Sequence, residues 1–323
     1  MRIYLFRLFG VKEESRLLTT LNEAVSIIDT EALGQPRVVA AYLISGKEKA
    51  LIDMGYQSSA EIVIRDLTHQ GIGPDGLDYL LPTHVHLDHS GCCGALAKRF
   101  TNACVRAHPK GEPHLADPTR LWKGAGELFG DELMQKYGAP VPVEWKRLQV
   151  VGDDEEIDLG RGVTLRALWT PGHASHHLSY HYEGTGIIFT GDAVGINYPD
   201  FAVLVPTTPP TSFNLDQAVQ SLERIRAASP SEFLTPHYCV MKNARQLIDE
   251  NVNALQHWKT RIEKMTKEGS SVDKLVEALT EETCRRAGRP VTEVPDYLGI
   301  SIKVSVLGFL RYLRHAASGV AVI

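Results

Sequence analysis

The sequence predicts a mixed α/β fold: a sandwich of sheets with a metal site along one edge, followed by a helical C-terminal region. Three observations point to it. Short apolar runs alternate with helical patterns up to about residue 240. Four of those runs end alike, in a threonine, a proline or glycine, and a residue able to bind metal. They are "LLPTH" at His84, "LWTPGH" at His173, "IFTGD" at Asp192 and "FLTPH" at His237. Beyond residue 240 the pattern is helical. Residues 1–240 are read as a catalytic domain and 241–323 as an α-helical extension.

Taken in order, residues 2–6 read as a first strand, with Arg2 and Arg7 interrupting the apolar run that a signal peptide would need. Strands are expected at 38–44, 50–52 and 79–81, and a helix at 58–70. Residues 91–100 read as a helix and 103–107 as a strand. Five prolines between 109 and 142 surround the helix-compatible "DELMQKY", so 108–147 is expected to be an elaborated excursion near the site. The acidic run at 153–156 reads as a solvated turn feeding a strand pair. Strands at 163–169, 178–182 and 186–190 and a helix at 214–228 follow. Helices are expected at 241–267, 272–287 and 299–315. In the last of these, apolar positions 300, 302, 304, 306, 307, 310 and 313 fit a broad buried face. That face suits a lid over the cleft, a homodimer contact or packing onto the core.

The bulk numbers exclude several classes. With 43% hydrophobic and 23% charged residues the chain has material for a core, and a net charge of −5 gives no general attraction to nucleic acid or membrane. No run of roughly 18 apolar residues occurs, so no spanning helix is expected. The five cysteines form no CxxC pair and read as reduced, mostly buried thiols of a cytoplasmic protein.

The chemistry lies in "THVHLDH", which places His84, His86, Asp88 and His89 within six positions. In extended backbone, residues two apart point the same way, so His84 and His86 can reach one ion. A turn into the following helix lets Asp88 and His89 serve a second ion. His173 can complete the first site and His237 the second, with Asp192 bridging them. Imidazole and carboxylate donors suit zinc, and also iron or manganese. Two such ions about 3.5–4 Å apart can hold a water between them and lower its pKa toward ~7, which yields a hydroxide nucleophile. Asp88 would orient that hydroxide and carry a proton to the leaving group. The histidines at 69, 108, 114, 257 and 315 read as ordinary surface or core residues.

The ordered set "THVHLDH", "TPGH", "FTGD" and the late "TPH" resembles that of the metallo-β-lactamase superfamily. The resemblance implies an αββα sandwich of two similar halves with metals at one edge, and it implies that Asp53 in "ALIDMG" supports the ligands from behind. Glyoxalase II-like hydrolases are the most similar branch. "TPGHASHH" resembles their TPGH-T-x-GH stretch, with His177 in the later histidine position and His176 in place of glycine. Quorum-lactone hydrolases place a tyrosine after the bridging aspartate, where Tyr198 is the nearest candidate. Tyr238, next to a ligand, is a further candidate for substrate contact.

The expectation is a hydrolase with two divalent metal ions acting on an ester, thioester, lactone or phosphoester of a small molecule. An iron-dependent oxidoreductase of persulfide-dioxygenase or diiron type, a non-catalytic metal-binding protein and a nuclease are the competing classes.

Overall fold

The apolar runs become the strands of two sheets whose alternating side chains divide between three layers of core. The computed structural model describes residues 19–198, 201–210 and 212–318, so the strand expected at 2–6 lies outside the described residues. The first sheet holds, in spatial and sequence order, β1 (Thr19–Asn22), β2 (Val25–Asp29), β3 (Ala40–Ser45), β4 (Lys49–Ile52), β5 (Tyr79–Leu81), β6 (Cys104–Ala107) and β7 (Leu148–Val150). The second holds β8 (Glu156–Asp158), β9 (Thr164–Trp169), β10 (Leu178–Tyr182), β11 (Ile187–Phe189), β12 (Glu232–Thr235) and β13 (Cys239–Lys242), in the spatial order β13-β12-β11-β10-β9-β8.

Period-two alternation builds the sandwich. Tyr42, Ile44 and Ile52 of the first sheet meet Tyr180, Phe189 and Leu234 of the second in one buried cluster between them. Their neighbours Leu43, Leu51 and Leu80 point the other way, onto Val63, Leu67 and Leu96. Those partners sit on α1 (Ala60–His69), which follows β4, and on α3 (Cys93–Arg99), which follows the single turn α2 (Leu87–Ser90). The layers are thus helix, sheet, sheet, helix.

The excursion between β6 and β7 contains α4 (Glu112–Ala116), α5 (Thr119–Phe129) and α6 (Asp131–Tyr137). The sequence marks α6 well, but α5 carries Gly124 and Gly126 in its interior, and glycine disfavours a helix by about 1 kcal/mol each. The acidic run at 153–156 is a turn, as expected, and it is tied down rather than free. Arg224 of α7 (Leu215–Ala227) pairs with Asp153 at 2.7 Å and Asp154 at 2.8 Å.

The outer helical layer is completed by α8 (Ala244–Lys267), α9 (Val272–Ala287) and α10 (Asp296–Ser318). Ile188 and Phe233, on the outer face of the second sheet, share one cluster with Leu222, Trp258, Leu279, Ile302 and Phe309. The C-terminal region therefore shares the core of the sandwich. Two expectations change here. Residues 241–242 are strand, not helix, because Cys239–Lys242 pairs antiparallel with β12, and Asn243 then turns the chain with a φ of 61° before α8 begins. The boundary at 240 accordingly falls inside β13.

Helix α10 is seated by close contact. Thr208 Oγ1 donates to the Ser305 carbonyl at 2.8 Å, and Ser305 Oγ donates to the Pro206 carbonyl at 2.7 Å. A Cβ at Gly308 would fall 1.5 Å from the Thr208 carbonyl oxygen. Gly308→Ala is therefore expected to cost about 1–3 kcal/mol as α10 is pushed off its seat. Chemical denaturation would read this as a lower midpoint with the slope unchanged. An unaltered midpoint would contradict this packing.

The four thiols whose side chains are described, Cys92, Cys93, Cys104 and Cys284, are free. No described helix is long and apolar enough to cross a membrane.

Candidate metal centre

The ends of β5, β9, β11 and β12 lie at one edge of the sandwich, and the four recurrent threonines anchor them. Thr83, Thr170, Thr190 and Thr235 are all buried. A buried hydroxyl needs a partner, and each supplies a fixed point just before a chemically active residue.

Three histidine nitrogens converge first. His84 Nε2 lies 2.8 Å from His86 Nδ1, which lies 3.0 Å from His173 Nε2. Their tautomers are set from behind. His173 Nδ1 sits 3.1 Å from the Thr207 carbonyl, which can only accept, so the proton is on Nδ1 and the Nε2 lone pair faces the cluster. The Thr83 hydroxyl is 3.0 Å from both oxygens of Asp53 and must donate to that carboxylate. It therefore accepts from His84 Nδ1 at 3.1 Å, which frees His84 Nε2 in turn.

A second trio comprises Asp88, His89 and His237, whose donor atoms also lie within 4.8 Å of one another. Asp53 Oδ2 accepts from His89 Nδ1 at 3.1 Å and so turns His89 Nε2 toward the cluster. Asp53 thus fixes one histidine in each trio, and its own φ of 49° shows the backbone turned to place it there. Asp192 stands between the two groups. Its Oδ1 faces His237 Nε2 at 3.3 Å and His89 Nε2 at 3.6 Å, while Oδ2 faces His173 Nε2 at 3.6 Å.

The electrostatics differ between the trios. Burial, reinforced by His173, pushes His86 down to about 3, and burial likewise holds His84 well below the usual histidine range. For His89 burial also opposes the charge, but Asp88, Asp192 and Asp53 outweigh it and raise the group to about 10. The second trio is the negative end of the site and favours a cation.

The fit of metal ions can be judged from buried polar atoms. His89 Nε2, Asp192 Oδ1 and both ring nitrogens of His237 are buried and have no hydrogen-bond partner among the described residues. Leaving such an atom unmet costs about 1–3 kcal/mol. His89, Asp192 and His237 each offer one such atom to the same point, and all three are good metal donors, which fits a cation there.

His177 holds a place behind the donors. It is fully buried, and its Nε2 accepts the Asp192 backbone N–H at 3.0 Å. Its Nδ1 therefore carries the proton, donated to Thr170 Oγ1 at 2.8 Å, which passes on to Ser179 Oγ at 2.9 Å and the Thr190 carbonyl at 3.0 Å. Gly191 is required beside it, since its φ is 52° and a Cβ would lie 2.5 Å from His177 Nε2. His177 holds the Asp192 backbone and is not among the residues that line the cavity.

The donors open into a cavity of about 500 Å³, bordered by α5, α6 and α10. Tyr198 lines it, with its ring edge-on to His237 at 5.5 Å and its hydroxyl 3.3 Å from Ser301 Oγ. Tyr238 is a correction: its ring packs onto the core between the sheets, away from the cavity, because its φ of 59° turns it from the strand direction. His114 is another, since it lines the cavity rather than the surface, and so does His176. His108 is buried against Trp169 at 4.3 Å, as an ordinary core histidine. Sequence reasoning missed Tyr56, which stacks on Tyr137 at 4.2 Å in the cavity wall, and the Thr207 carbonyl. A backbone acceptor has no sequence signal, and Tyr56 lies outside every motif.

A sequence profile described as the metallo-beta-lactamase superfamily matches residues 34–237, well over half of the chain. The chain belongs to the metallo-β-lactamase superfamily. Among curated relatives it is 30% identical over 195 residues to the metallo-beta-lactamase fold-containing protein ST1585 of Sulfurisphaera tokodaii, covering 58% of this chain and 68% of that one. It is 26% identical to an atrochrysone carboxyl ACP thioesterase of Aspergillus fumigatus over 66% of this chain, which spans about half (54%) of that relative. It is 33% identical to the N-acyl homoserine lactonase AttM of Agrobacterium fabrum over 110 residues, 34% of this chain and 37% of that one. Two solved superfamily structures show the same fold with a TM-score of 0.65. ST1585, described there as from Sulfolobus tokodaii, is 23% identical, with 90% of this chain and 98% of that one covered. TTHA1429 of Thermus thermophilus is 21% identical, with 92% and 95% covered. The αββα fold with helices added at the C-terminus is thereby established for this superfamily member.

Proposed function

We propose that this superfamily member is a metal-dependent hydrolase that cleaves an ester, thioester or lactone of an apolar small molecule. The observation that carries this reading is the pair of donor trios joined by Asp192 at the floor of a largely apolar cavity. His84, His86 and His173 would hold one divalent ion and Asp88, His89 and His237 a second, with Asp192 between them. Zinc suits this set of nitrogen and carboxylate donors, and iron or manganese could share it. Bound there, such ions supply an activated water and polarise the substrate carbonyl.

The chain's own residues do the rest. Asp53 and His177 keep the donors in one tautomer and one position. Asp88 is 24% exposed at its side chain and lines the cavity, whereas His89 beside it is fully buried. Its Oδ2 faces His89 and His237, which leaves Oδ1 to take the proton released as water adds to the carbonyl carbon. That proton then passes to the departing oxygen or sulfur as the acyl bond breaks. The apolar walls exclude bulk water and suit a hydrophobic acyl group better than a phosphodiester.

Within the superfamily, the ester- and thioester-cleaving branch that includes glyoxalase II is the reading we favour, supported by "TPGHASHH" and by the likeness to a named thioesterase. A panel of acyl thioesters, aryl esters and acyl lactones, assayed with metal-loaded protein, tests it. Turnover that a chelator abolishes and added metal restores is the expected result. Absence of turnover on all three classes by fully metallated protein would contradict it.

A further inference from the structure

Helix α5 faces the cavity with an apolar stripe that the protein covers only in part, by packing on Leu87, Met134 and Tyr137. Leu121, Trp122, Ala125, Leu128 and Phe129 are each only partly buried, and no residue of the helix is fully covered. Amphipathic helices ordinarily bury such a stripe against a core. Here Leu121, Ala125 and Phe129, one turn apart, line the cavity together with Gly124 and Leu128. At Gly124 a Cβ would meet nothing within 4 Å, so the space in front of the helix is open.

Arg120 stands at the N-terminal end of that same face. It lines the cavity, is exposed, and makes no hydrogen bond or ion pair among the described residues. Between Arg120 and the donors runs a line of polar side chains. The His176 ring lies 5.9 Å from that of His86, and the His114 ring lies 6.2 Å from that of His176. Val85 N–H donates to His176 Nδ1 at 3.5 Å, so the neutral ring carries its proton on Nε2 as a donor. Burial, and then the Arg120 charge, lower the pKa of His114 and keep it neutral as well. The cavity therefore combines a partly covered apolar helix face, imidazole groups beside the donors, and an arginine with no hydrogen-bond or ion-pair partner among the described residues.

Resting on the hydrolase reading above, we infer that the substrate is an ester or thioester whose acyl part is an extended apolar body ending in a carboxylate. The reacting carbonyl would lie at the donor trios, the body along α5 and the carboxylate at Arg120. Hydrolysis adds water across the acyl bond, so the products are a dicarboxylic acid and the free alcohol or thiol.

The test uses full-length, metal-loaded protein and two product-like probes, octanoate and octanedioate, in calorimetric titrations. Wild type should bind octanedioate roughly fivefold more tightly than octanoate, the upper end for an ion pair with an exposed arginine. Arg120→Gln should erase that preference while leaving octanoate unchanged, and Arg120→Lys should restore part of it. Gly124→Leu should weaken both probes without altering metal content, because the new side chain occupies the space of the apolar body. Equal binding of the two probes to wild type, or full binding by Gly124→Leu, would overturn the inference. Turnover of matched octanoyl and ω-carboxyheptanoyl thioesters separates this from the hydrolase reading. If neither these nor the ester and lactone panel is cleaved but the Arg120-dependent preference holds, the hydrolase reading fails and the assignment of the cavity stands.

Discussion

Asp88→Asn is expected to lower kcat by roughly 10²–10⁴-fold, the span typical of a lost proton-transfer group. Asparagine keeps the shape of the side chain and its seat on α2. It can neither take up a proton nor contribute negative charge beside His89 and His237. The fold should survive, because Asp88 is partly exposed and asparagine has nearly the same size and shape. Steady-state kinetics with metal content measured on the same sample would separate loss of the proton carrier from loss of metal. Wild-type turnover by this variant would show that the proton moves elsewhere.

Asp53→Asn is expected to act through metal affinity, lowering it by roughly 10–100-fold, more strongly in the second trio than in the first. The carboxylate accepts from three donors: the Thr83 backbone N–H at 2.8 Å, the Thr83 hydroxyl and His89 Nδ1. An amide offers only one accepting oxygen. If its NH₂ faces His89, the histidine must accept at Nδ1 and carry its proton on Nε2, where a metal would otherwise bind. The alternative amide orientation sets the NH₂ against the N–H of Thr83. Competition with a chromogenic chelator would give the affinity of each site. Unchanged affinity in both would mean that Asp53 does not set the tautomers.

Much of this was legible in the sequence, for identifiable reasons. Metal donors are few residue types at short spacing, and strand alternation fixes which of them share a side. The pattern at His84, His86, Asp88 and His89 therefore brought together what the fold brings together. Tyr238 and His114 show where that reasoning stops. Tyr238 follows a donor in sequence, but a left-handed backbone turns it into the core between the sheets. His114 belongs to a short proline-containing helix whose placement depends on the excursion as a whole. His177 had a sequence signal as a site residue, yet only the structure shows that it holds the Asp192 backbone. Helix α5 was hidden by its two glycines, although its apolar face is a principal wall of the cavity. The edge strand β13 was hidden by its continuity with a long helical pattern, which Asn243 interrupts by conformation alone.

The central claim is that two donor trios joined by Asp192 hold two ions. Elemental analysis of untagged protein purified without chelator tests it most directly, with a His237→Ala variant alongside. The account predicts about two zinc-class ions per wild-type chain and about one in the variant, with His84, His86 and His173 still loaded. A wild-type chain that saturates at one ion, or a variant that still holds two, would contradict it.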